Sequence, residues 1–151
     1  MEIVPFSLYL MAQFSGGIFG AIVANGMFEL DGYFDGKDRD STGELFAECV
    51  ATFGLIVVIF GAIGVNAEKS IPMAVGLYIT AGYWFTSSTS FANPAVTVSR
   101  SFTNTFASIA PSSFGHYFAG QLLGTLLALP FVEWLFGRKS FMSALSALLR
   151  K

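Results

Sequence analysis

Residues 90–97 read Ser90-Phe91-Ala92-Asn93-Pro94-Ala95-Val96-Thr97. Asn followed by Pro is a strong helix start: the Asn side chain accepts from an N–H of the first turn, and Pro at the first helical position gives up a donor that has no intrahelical partner anyway. A helix from Pro94 to about Phe106 is therefore expected. The stretch from Asn93 to Ala110 is too short and too rich in Ser and Thr to cross a bilayer, and it carries Arg100. Long apolar stretches flank it, which places this half-helix at membrane depth without spanning. Such a segment is tolerated only where protein buries it or where it lines an aqueous cavity.

The rest of the chain reads as membrane. Of 151 residues, 54% are hydrophobic and only 12% charged, with a mean hydropathy of +0.64; a soluble domain carries about a quarter charged residues. The charges cluster near residues 29–44, near 66–70 and at the C-terminus, as lipid requires when an unpaired charge in hydrocarbon costs at least a few kcal/mol. Spans are expected at about 3–28, 45–65, 71–87 and 114–136. Ser41 with Glu44 makes a capping box before the second, Ser70 with Pro72 suits the start of the third, and Ser112 or Ser113 can cap the fourth. Met1 and Glu2 supply no basic n-region, so the first apolar stretch reads as a retained span rather than a signal. With both termini cytoplasmic, Lys69, Arg138, Lys139, Arg150 and Lys151 lie inside, and the acidic loop from Asp31 to Asp40, with Lys37 and Arg39, lies outside. The tail 138–151 spaces Phe141, Leu145, Leu148 and Leu149 at helical intervals between basic ends, which fits an amphipathic helix on the inner leaflet or a frayed end.

Two spans repeat a pattern. The first has Gln13, Gly16, Gly20 and Ala24; the fourth has Gln121, Gly124 and Ala128. Small residues at four-residue steps allow close helix packing in lipid. The matched glutamines go further and suggest equivalent last helices of two repeats, as in inverted-repeat channels and transporters. Upstream of the first span there is no partner for the Glu-bearing second span or for the Asn-Pro half-helix. The first repeat is therefore expected to be mostly missing.

The Asn93-Pro94-Ala95 tripeptide, Ala47-Glu48 with Thr52, and the two Gln-x-x-Gly spans together resemble channels of the aquaporin, or major intrinsic protein, family, from about Pro5 to Phe136. The resemblance implies an all-α membrane protein: an incomplete aquaporin-like right-handed bundle of four transmembrane helices and one re-entrant half-helix, forming a single partial domain over 1–151. That domain corresponds to the family's third span and second repeat. It further implies that Asn93, Pro94 and Ala95 form the pore motif and that Glu48 supports the loop before the half-helix; the alternative for Glu48 is a water-satisfied place near the outer interface. Val96 stands where the family usually has Arg, and a wider, less polar filter follows. By the same correspondence Ser90 and Tyr83, or its neighbour Gly82, are filter positions, and Thr97 replaces the Asp of glycerol-type members. The Val-containing pattern is similar to a bacterial subgroup associated with arsenic resistance. Arg100, one turn beyond Val96, is either a vestibule charge or an interfacial one.

The motif has a physical reading of its own. The start of a half-helix near the membrane centre offers unpaired N–H groups and about half a positive charge, which repels cations, and the Asn93 amide can donate to the oxygen of a passing solute; the plainer role for Asn93 is a helix cap alone. Catalysis has no candidate, because no nucleophile, base and orienting residue stand at a recognisable spacing. Cys49 is the only cysteine and His116 the only histidine, which excludes an internal disulfide and argues against zinc or haem; no cofactor or metal is expected. The net charge of −2 and pI near 5.2 argue against nucleic acid. The expected partners are the lipid bilayer, small neutral solutes (water, polyols, undissociated metalloid acids), and either further copies, as a tetramer by resemblance, or a first-half polypeptide. The expected place is the inner membrane. A non-conducting fragment and an interaction subunit of a full-length channel are the competing readings.

Overall fold

The computed structural model describes residues 5–30 and 36–137. The amphipathic tail expected over 138–151 lies outside them. Regular structure among the described residues is all helical: α1 (Phe6–Met27), α2 (Thr42–Gly64), α3 (Ile71–Phe85), α4 (Pro94–Ser99) and α5 (Phe114–Phe136). Three segments are long and apolar enough to cross a membrane: Phe6–Met27, Thr42–Gly64 and Pro111–Phe136. At 15 residues, α3 is about 22 Å long, short of the ~30 Å hydrocarbon core. It stops at Phe85 rather than at Ser87 because Thr86 turns to extended backbone (φ −108°, ψ 142°), and its hydroxyl donates to the Gly82 carbonyl at 2.7 Å, occupying a helix-end acceptor.

The central pair is α2 against α5. Gly124 of α5 sits so close to α2 that a Cβ there would meet the Cys49 carbonyl and lie 3.0 Å from Phe53 N and Thr52 Cβ; Gly120 is pressed in the same way onto Leu45 and Glu48. Ala128 and Val132 complete this buried stripe. α3 leans on α2 through Tyr78, whose hydroxyl donates to the Ala51 carbonyl at 3.0 Å. On α2 the capping box is formed: Ser41 Oγ accepts from Glu44 N and the Glu44 carboxylate accepts from Ser41 N. Ser70 and Ser113 stand at the starts of α3 and α5 without side-chain caps; the Ser70 hydroxyl donates back to Ala67, and the Ser113 hydroxyl instead accepts from Arg39 N.

α1 packs chiefly against α4 and the turn after it. Its most apolar stretch has no residue buried inside the protein, and Phe6, Phe19 and Met27 are mostly exposed. A helix apolar on all sides requires lipid or another protein wall around it. Where α1 meets α4, the close approach is made by Gly17, whose Cβ would strike the Ser99 hydroxyl; Gly16 and Gly20 have nothing within 4 Å. The polar anchor is Asn25, buried at 3% exposure, which donates to the Phe102 carbonyl at 2.7 Å and accepts from the Thr103 hydroxyl at 2.6 Å.

That anchor also limits the half-helix. Regular helix runs only from Pro94 to Ser99, followed by a 3-10 turn over Arg100–Phe102, four residues short of the expected Phe106. Ser99 and Ser101 donate back to the Ala95 and Val98 carbonyls, and Thr103 is extended (φ −143°, ψ 153°) where Asn25 holds it. Serine back-bonding weakens the helix ladder, and the Asn25 contacts draw the chain away.

Candidate functional site: a half-helix start held by a buried glutamate

The site is built around Glu48, which is fully buried on α2. Its Oε1 accepts from the Ser88 hydroxyl at 2.7 Å and Phe91 N at 2.8 Å. Its Oε2 accepts from Ala92 N at 2.9 Å and Gln121 Nε2 at 2.8 Å. Four donors thus converge on a buried side chain that would otherwise be costly there. The donors come from the loop before α4 and from α5, so one carboxylate fixes the loop against the α2–α5 pair.

The loop needs such a clamp. Thr89, Ser90 and Ala92 have φ of 62°, 52° and 48°, a left-handed conformation that costs a non-glycine residue about 1–2 kcal/mol. Hydrogen bonds to charged groups contribute about 1.5–3 kcal/mol each, enough to hold three such residues. Planarity carries the effect further: with the N–H groups of Phe91 and Ala92 aimed at Glu48, trans peptides turn the Ser90 and Phe91 carbonyls the opposite way.

The loop delivers Asn93. Its Oδ1 accepts from Ala95 N at 2.8 Å, so the side-chain oxygen is the cap and the amide nitrogen faces outward. One amide hydrogen goes to Gln13 Oε1 on α1 at 3.1 Å; the second has no protein acceptor within bonding range among the described residues. Thr97 ties the helix to α5, donating to the Asn93 carbonyl and accepting from Gln121 Nε2 at 3.0 Å. The two glutamines of the repeated pattern therefore both serve this site, Gln13 on Asn93 and Gln121 on Glu48. With only six residues, α4 has a small macrodipole, and the field at its start comes mainly from its first N–H groups and the Asn93 amide.

Asn93, Val96, Ser90 and Tyr83 line a cavity of about 290 Å³ together with Leu55, Val75, Ile79, Phe91 and Arg100. Leu55, Val75, Ile79, Phe91 and Val96 make its wall mostly apolar, with polar groups at Tyr83, Ser90, Asn93 and Arg100. Gly82 does not join Tyr83 at the lining: it is buried and packs on Ser90, whose Oγ lies 2.5 Å from where a Cβ would stand. That Ser90 hydroxyl is buried without a protein hydrogen-bond partner. Thr52, one turn beyond Glu48 on α2, stays out of the Glu48 network; its buried hydroxyl also lacks a partner among the described residues. On the other side of α4, Val96 and Ala95 face Gln13, Gly20 and Ala24 of α1 across a groove of about 340 Å³. Trp84 and Trp134 are 88% and 76% exposed, as suits aromatic anchors at a membrane interface.

Sequence reasoning placed Arg39 merely in an outer loop. It is buried at 6% exposure: Nε donates to the Ser108 carbonyl at 2.7 Å, Nη2 to the Phe106 carbonyl at 2.6 Å, and Nη1 to the Tyr117 hydroxyl at 3.1 Å. Nη1 also reaches Glu44 and the Ser88 carbonyl, each at 3.4 Å. The guanidinium lies 5.8 Å from the Phe91 ring centroid. Arg39 thereby straps the loop before α2 to both segments flanking the half-helix. Ser88 and Tyr117 complete the same network, with Tyr117 donating to the Ser88 carbonyl at 3.1 Å.

The chain is 45% identical over 128 residues to Aquaglyceroporin AqpS of Rhizobium meliloti (strain 1021). The match covers 84% of this chain and 54% of that protein, so the chain spans about half the length of the curated relative. No family model matches, and no solved structure gives a significant match. Its own helices are long and apolar enough for a membrane, and its likeness to an aquaglyceroporin runs through most of its length. The chain is thus similar, over most of its own length, to a member of the aquaporin, or major intrinsic protein, family of membrane transport channels.

Proposed function

We propose that the chain forms the second-repeat half of a passive transmembrane channel for water and small uncharged solutes such as polyols and undissociated metalloid acids. In this reading α3 and its preceding turn make a fourth, short span, α4 is the re-entrant half-helix, and both termini are cytoplasmic in the inner membrane. The observation that carries the proposal is the Glu48-clamped loop, which brings Ser90, Phe91 and Asn93 together at the lining of one cavity. Donors and acceptors held in place, with no acidic side chain among the described residues lining that cavity, suit neutral hydroxylated molecules. Val96 in place of a charged residue widens the path.

The wall is open beside α1. Gly20, Ala21 and Ala24 face Ala95 and Ser99 across an unfilled groove, and α1 buries nothing of its apolar stretch. A first repeat, from a preceding segment, a separate polypeptide or another copy, is proposed to close it, and the assembled unit to oligomerise. Swelling of liposomes containing the chain tests this. Swelling with the chain alone supports assembly from copies, and swelling that appears only with a first-half polypeptide supports a split channel. Failure of both makes the chain a non-conducting fragment or an interaction subunit.

A further inference from the structure

Two arginines reach the site, and they are used differently. Arg39 spends its Nε, Nη1 and Nη2 on protein acceptors. Arg100 is half-buried, and its side chain makes one hydrogen bond among the described residues: Nη2 donates to Tyr83 Oη at 2.6 Å. A guanidinium has five N–H donors, so most of its capacity is unspent. Its partner is a neutral phenol, and no carboxylate pairs with Arg100 among the described residues, so the charge of Arg100 is not cancelled there.

Placement gives this charge a role. Arg100 follows Val96 by four positions, which puts the two on one face of the helix, and both line the cavity that holds Asn93. Arg100 also borders the two cavities on the α1 side, so it stands where the three spaces meet. Its backbone is fixed, the Arg100 carbonyl accepting from Ile109 N at 3.3 Å, while Tyr83 on α3 holds its tip. Because Tyr83 Oη accepts from Arg100, the phenol hydrogen is free to donate as well.

We infer that the Arg100–Tyr83 pair is the specificity-determining element of the outer conduit: it excludes cations and offers donors to the oxygens of small neutral hydroxylated solutes, a role the apolar Val96 leaves open. The inference rests on the channel reading above. A single charge lining the path suffices, since removing a unit charge about 10 Å away at an effective dielectric of about 20 changes a cation's passage about tenfold.

The test uses liposomes carrying the chain, with a first-half polypeptide if swelling requires one, and reads sodium leak, water permeability and glycerol permeability together. Arg100→Gln is expected to raise sodium leak relative to water permeability about tenfold. Arg100→Lys, which keeps the charge and loses the planar fork, is expected to keep the leak low while shifting the glycerol-to-water ratio. Tyr83→Phe is expected to keep the leak low and shift that ratio also. A water-conducting Arg100→Gln channel with an unchanged sodium-to-water ratio overturns the inference and leaves the channel reading standing. Absence of swelling by the parent chain under both conditions overturns both.

Discussion

Replacing Glu48 by Gln keeps the side chain's shape and changes one oxygen into a donor. Four donors converge on this carboxylate, two on each oxygen. If the retained oxygen faces Ser88 and Phe91 N, the new NH2 confronts Ala92 N and Gln121 Nε2. If it is flipped, the NH2 confronts Phe91 N, and only the Ser88 hydroxyl can rotate to accept from it. One or two buried N–H groups lose their acceptor in either orientation, at about 1–3 kcal/mol each. Those losses fall on a loop that already carries Thr89, Ser90 and Ala92 in left-handed backbone, at about 1–2 kcal/mol each, so the loop is expected to relax before the α2–α5 pair separates. Amide exchange in detergent micelles reads this residue by residue: Phe91 and Ala92 should exchange at least about 30-fold faster, equivalent to about 2 kcal/mol, while amides at the centre of α5 change little. Unchanged protection of both loop amides would refute the claim that Glu48 holds the loop.

Arg39→Gln strands the Phe106 and Ser108 carbonyls and the Tyr117 hydroxyl, and is expected to lower stability by about 3–5 kcal/mol, seen as a lower midpoint of thermal unfolding in detergent. Gly124→Leu drives a side chain into the α2 backbone and is expected to separate α2 from α5 and abolish the folded state. Gly16→Ala, at a site with open space, should be neutral or stabilising by up to about 1 kcal/mol; the same unfolding assay compares the two. Val96→Arg is expected to lower glycerol passage several-fold more than water passage in swelling measurements, and equal loss of both would count against a filter role for Val96.

Much of the fold was legible because local rules and lipid thickness act together. The long apolar stretches became α1, α2 and α5, and the Ser41 capping box and the Asn93 cap are short-range chemistry that sequence spacing records. The end of the half-helix was not legible, because it depends on Asn25, 77 residues away from the Phe102 carbonyl it holds. Arg39 was missed for the same reason: its acceptors at Phe106 and Ser108 lie 67 and 69 positions along the chain, and nothing in an acidic surface loop distinguishes a buried arginine from a solvated one. The small-residue stripe on α1 pointed to a packing face, but it could not tell Gly17, pressed onto Ser99, from Gly16 and Gly20, which face open space. Helix periodicity gives a face only approximately, and a one-residue step is a rotation of about 100°.

The central claim is that the start of α4 lies deep in the bilayer and beside water. Val96→Cys in a Cys49→Ala background leaves a single thiol, and a spin label there reports both depth and aqueous access in liposomes. The account predicts a label near the bilayer midplane that is relaxed by a small water-soluble nickel complex. A label at headgroup depth, or one at the midplane relaxed only by oxygen, would contradict it.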